Sequence, residues 1–152
     1  MPLTKPNPSA GTSCFAMTYA ATLLVDANRE FQRQAHVQES RKRLSLPEYM
    51  QEYATVHIKA ARQSGHSTAA MTLAESNHAP LIIPHKRWGN QTKQHSRVHT
   101  LSDLRLLRGT EWCVDTVIFD GFSHMTLGPE EYASLVAMAA GTSRPLVLLG
   151  IG

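Results

Sequence analysis

Residues 55–71 read Thr55-Val56-His57-Ile58-Lys59-Ala60-Ala61-Arg62-Gln63-Ser64-Gly65-His66-Ser67-Thr68-Ala69-Ala70-Met71. The order is a short apolar strand, a tight polar turn around Gly65, and the start of an Ala-rich helix. A strand feeding a helix through a short turn is the first half of a β-α-β unit, and such units build parallel sheets.

The stretches on either side repeat that grammar. Ser45-Leu46-Pro47-Glu48 is a helix start, with Ser as cap, Pro in the first turn and Glu three residues on. The strand is expected over 55–60 and a helix over 68–76, ended by Asn77-His78. Ala79–Pro84 is a second apolar strand, and Val98–Leu101 a small third one. Ser102 or Asp103 is placed to cap a short helix ending at Gly109. Val114–Asp120 is an apolar strand that finishes on a carboxylate. Gly128-Pro129-Glu130-Glu131 opens a helix that Gly141 closes, and Pro145–Gly150 is the last strand. Strands that are apolar on both faces and alternate with helices predict a three-layer α/β fold with a mostly parallel sheet of four or five strands.

Residues 1–44 are read as an N-terminal helical extension and 45–152 as the α/β core. Pro2, Pro6, Pro8 and Gly11 predict an irregular lead-in. From Ser13 to Leu44 no Pro or Gly occurs, which predicts one long helix or a broken pair. Phe15, Tyr19, Leu23, Val25 and Phe31 are its larger apolar positions, and the Met and Tyr residues on helices are expected in the core. The polar end, with Arg33, Arg41, Lys42 and Arg43, faces solvent or a protein partner.

Composition sets wider bounds. With 152 residues, 42% hydrophobic and 18% charged, the chain suits one soluble domain. No run approaches the ~18 apolar residues of a membrane span. The first residues lack the apolar segment of a secretion signal, so a cytoplasmic location is expected. Cys14 and Cys113 differ in context and are read as free thiols, with Cys113 and Trp112 packed at the sheet edge. Through Thr110 there are 14 Lys/Arg against 7 Asp/Glu, and from Glu111 onward 1 against 5. This basic front suits a polyanion or is simply a solvated face. His85-Lys86-Arg87-Trp88 with Lys93, Arg97 and His99 would follow a nucleic-acid backbone with Trp88 stacking, or form a solvated loop around a half-buried Trp. His95 and His99 are four apart, but no third ligand accompanies them. Gly121-Phe122-Ser123-His124 lacks the flanking glycines of a nucleophile elbow.

The turn at 61–68 carries the chemistry. A phosphate-binding loop needs a strand, a turn of converging backbone N–H groups, a helix N-terminus, a Lys and a Ser/Thr. Arg62, Gln63, Ser64, Gly65, His66, Ser67 and Thr68 supply the loop and hydroxyls. The first Gly of the pattern falls on Ala60, however, and the Lys on His66. With the strand ending at Asp120 and the final Leu146–Gly150 strand, the chain resembles the P-loop NTPases with an inserted central strand. These are helicases and viral packaging-motor (terminase large subunit) ATPases, and the Arg62-Gln63 phrasing is closest to the latter.

The resemblance covers residues 45–152. It implies ATP and Mg²⁺ as ligands, a metal held by Ser67 and Asp120, and Asp120 and His66 as the catalytic positions. It places the helix of Tyr49 and Gln51 near adenine and the last strand between those carrying the loop and the Asp. It also exposes two departures. A Lys becomes His66, and the water-activating Glu after the Asp becomes Gly121. The implied function is a degenerate nucleotide-binding protein with weak or absent hydrolysis, acting with nucleic acid or a viral motor. The alternative is a non-catalytic viral or mobile-element protein that uses the fold to bind a host or viral protein.

Overall fold

The computed structural model describes residues 8–59, 66–83, 98–105, 113–121 and 127–152. Helices α1 (Pro8–Gln32), α2 (Ala35–Arg43) and α3 (Leu46–Tyr53) precede strand β1 (Thr55–Ile58). Helix α4 (His66–Asn77), strands β2 (Leu81–Ile83) and β3 (Val98–Thr100) and a 3-10 helix (Leu101–Arg105) follow. Strand β4 (Thr116–Asp120), helix α5 (Pro129–Met138) and strand β5 (Val147–Ile151) complete the order. The five strands form one sheet in the order β1-β5-β4-β2-β3, and every pairing is parallel.

The caps are written into the sequence. Ser45 Oγ accepts from the Glu48 N–H at 3.4 Å, and Glu48 Oε2 accepts from the Ser45 N–H at 3.3 Å, closing a capping box on α3. At the end of α4, His78 turns left-handed with φ +52°. Its N–H then reaches the Glu75 carbonyl and the Ala79 N–H the Ala74 carbonyl, which satisfies two orphan acceptors of the last turn. The expected long N-terminal helix is a broken pair. It starts at Pro8, inside the stretch read as irregular, and breaks after Gln32, whose carbonyl accepts from the Gln38 side chain.

Alternation along the strands sorts the helices into two layers. Val117, Phe119, Leu148 and Ile82 face a core made with Val37, Tyr49, Met50, Leu104, Tyr132, Leu135 and Met138. Ile118, Leu81, Ile83, Val147, Leu149 and Ile151 face the other way, onto Ala21, Val25, Ala70, Leu73 and Ala74. So α2, α3, α5 and the 3-10 helix cover one face, and α1 with α4 covers the other. All residues of β4 and β5 are buried, the pattern expected of central parallel strands. Each such aliphatic side chain contributes roughly 1.5–3 kcal/mol by leaving water. Residues 8–32 are thus part of the sandwich and supply one of its outer helices.

At the sheet's amino edge α1 is tied down by charge. Arg29, 5% exposed, reaches the Asp115 carbonyl at 3.1 Å, the Asp115 carboxylate at 3.1 Å and the Thr116 hydroxyl. Arg144 meets the other oxygen of Asp115 at 3.2 Å. One turn on, buried Gln32 donates to the Leu146 carbonyl at 3.0 Å and accepts from the Tyr49 hydroxyl at 2.9 Å. Cys113, expected to pack at the sheet edge, is exposed instead, at a left-handed φ of +51° just before β4.

Replacing Arg29 by Met keeps the length of the side chain but strands the Thr116 and Asp115 acceptors. Such breaks of buried charge pairs cost about 3–5 kcal/mol, and Arg144 retains part of the pairing here, so a loss near 3 kcal/mol is expected in urea denaturation. Burial lowers the His57 pKa below its usual value, against a smaller upward pull from a hydrogen bond to the Gly152 backbone. The unfolded chain therefore binds the proton first as pH falls. This contribution to stability is intact above the ordinary histidine pKa of ~6.5 and is lost as pH drops through the lower folded value. The melting temperature of His57→Gln should fall less between neutral and mildly acidic pH than that of the parent.

Candidate functional site

In an open parallel sheet, ligands sit where successive helices leave to opposite faces beyond the carboxyl ends of the strands. Here α4, after β1, packs with α1 on one face, and α5, after β4, packs on the other. The two strands are separated only by β5. By that rule the crevice is expected above the ends of β1, β5 and β4.

Two of the expected residues meet there. Ser67 lies in the first turn of α4 and Asp120 ends β4, on the face shared with Thr116 and Ile118. The Ser67 hydroxyl donates to Asp120 Oδ1 at 3.4 Å across 53 residues of chain. Asp120 is only 3% exposed, whereas Thr68, next along the helix, is exposed. A carboxylate that deep needs partners, and a hydroxyl at the positive end of a helix is a suitable one. The backbone of His66 forms the first residue of α4. Arg62, Gln63, Ser64 and Gly65 lie outside the described residues, as do Lys86, Arg87, Trp88, Lys93 and Arg97.

The oxygens of Ser67 and Asp120 fit a hard divalent cation. Mg²⁺ takes oxygen ligands at about 2.1 Å in an octahedron, which puts neighbouring ligand atoms about 3 Å apart. The Ser67 Oγ to Asp120 Oδ1 distance of 3.4 Å is close to that spacing. Among the described residues no cluster of three or more His, Cys, Asp or Glu side chains is placed to hold a metal, so a cation here would draw its remaining ligands from water or phosphate.

The floor of the crevice is backbone. The Gly121 N–H donates to the Ile151 carbonyl at 2.6 Å, and the Gly152 N–H to the Ile58 carbonyl at 3.0 Å. These bonds stitch the ends of β4, β5 and β1 together. Gly121 holds φ +84°, and a Cβ on Gly152 would stand 2.4 Å from the Gly121 Cα. Read from sequence, Gly121 marks a missing carboxylate. Its geometry adds a physical reason: the chain leaves β4 in a conformation that side chains avoid. The close approach of Gly152 was not foreseen, though the alternation Gly150-Ile151-Gly152 is the kind of signal that marks backbone contact.

Tyr49 does not reach the crevice. It is buried in the α3–α5 core with its hydroxyl on Gln32, so it has no face to offer a base, while Gln51 on the same helix is exposed. Tyr19, expected in the core, is 61% exposed on α1.

Gly121→Ala should cost about 1–2 kcal/mol in denaturant unfolding through its left-handed φ, since among the described residues no atom lies within 4 Å of the new methyl. Gly152→Ala should also destabilise, for the opposite reason of direct collision. No protein-family model, curated protein or solved structure matches the chain, and the functional reading rests on this geometry.

Proposed function

We propose that this protein is a P-loop NTPase-like nucleotide binder in which hydrolysis is weak or absent. The observation that carries the reading is the Ser67–Asp120 contact at 3.4 Å, which joins the first turn of the helix after β1 to the end of β4. The strand order supports it, because β5 lies between the loop-bearing strand and the carboxylate-bearing strand, as the resemblance implies. The amino end of α4 adds the positive end of a helix dipole at the same edge.

In this reading Ser67 and Asp120 hold Mg²⁺, and the backbone leading into α4 receives the phosphates. When bound between them, the ion would offset the negative charge of the phosphates. The protein's further contribution is reduced at two points. His66 stands where the resemblance expects a permanently charged Lys to hold the phosphates, and an imidazole carries no permanent charge. Gly121 brings no carboxylate to orient a water. Phosphoryl transfer depends almost wholly on positioning and charge stabilisation, so both losses fall on turnover more than on affinity.

Mg-ATP is expected to raise the melting temperature of the parent, with the rise lost in Ser67→Ala and Asp120→Asn. Steady-state hydrolysis should sit near background and increase in His66→Lys. Brisk turnover by the parent would overturn the degenerate-enzyme reading. No thermal response to Mg-ATP would overturn nucleotide binding and leave the protein-binding alternative.

A further inference from the structure

Helix α1 has two apolar faces. Met17, Ala21 and Val25 pack against α4 and the sheet. Phe15, Tyr19 and Leu23 follow the same four-residue step but start two residues earlier, which rotates them by about 200°. They stand on the opposite side, 73%, 61% and 52% exposed, with Leu24 beside them at 45%. Residues 8–25 contain no Asp, Glu, Lys, Arg or His. A helix that is apolar all round belongs in an interior, yet one side of this one meets water.

We propose that this outer stripe is a self-association surface, on which α1 of a second copy packs antiparallel across a twofold axis. A row of side chains at four-residue spacing is a ridge that interdigitates with its own copy, so the surface is complementary to itself without any charge pattern. Exposed aromatic side chains of 150–250 Å² each dominate the stripe. With the two leucines they offer about 400 Å² per copy, hence about 800 Å² in a pair, and exposed Ala16, Thr22 and Ala27 extend this towards the ~1,000 Å² at which specific interfaces begin. Direction follows from the charged end of the stripe, where Asp26 pairs with Arg29 and Arg144 and Glu30 with Arg33. Crossing at Tyr19 puts Asp26 about 10 Å along the axis, so antiparallel copies keep these ion-pair clusters about 20 Å apart and free of each other. A parallel pair would set Asp26 and Glu30 beside their own copies.

The test is sedimentation equilibrium of the full chain from about 1 to about 100 µM, with a dimer expected to dissociate in the micromolar range. Leu23→Glu and Tyr19→Glu, both at exposed positions, should each raise the dissociation constant at least about tenfold, with far-UV circular dichroism unchanged and with the urea midpoint unchanged when measured below the parent's dissociation constant. A parent that stays monomeric throughout overturns the proposal. A dimer that both variants leave intact overturns it as well.

Discussion

The central pair β4 and β5 is shut off from water on both faces, so its backbone groups can be satisfied only by neighbouring strands. That requirement shapes most of the molecule. Parallel strands need crossovers long enough to return the chain to the same edge, and the crossovers here carry α4 and α5 on opposite faces. Once the helices are divided this way, the ends of β1 and β4 face each other across β5. Ser67 and Asp120 then meet at the carboxyl edge. The amino edge is held differently, by Arg29, Asp115 and Arg144, and by Gln32 bridging to Leu146. Polar side chains secure one rim, and glycine backbone secures the other.

Much of this was legible because the signals are local. The Ser45–Glu48 capping box, the Pro129 helix start with its two glutamates and the apolar runs at 116–120 and 147–151 each carry their reason within a few residues. Helix α1 was harder. Its outer residues look the same as its inner ones, since a four-residue step does not say which face meets the sheet. Tyr19 and Tyr49 are both helix tyrosines, and residue type alone puts both in the core. One lies in water and the other under α5, a difference made only by tertiary packing.

The site was legible in part. Ser67 and Asp120 were singled out by residue type and position, and their contact follows from the strand order. Gly121 was noticed only as the absence of an acid. Its positive φ depends on how β4 leaves the sheet, and the Gly152 contact depends on a neighbour 31 positions along the chain. Contacts at that separation leave no periodicity behind.

The strand order also governs when the crevice can exist. Strand β1 pairs only with β5, and Thr55 aligns with Leu148, 93 residues later. Closing so long a loop is slow, and its entropy is lost before any pairing energy returns. On a ribosome, β1 and its turn emerge with no strand to bond to and wait until residues 147–151 have been made. Assembly of the site therefore waits for β5. A chain arrested before residue 147 would carry β1, α4 and β4, but not the strand that brings them together.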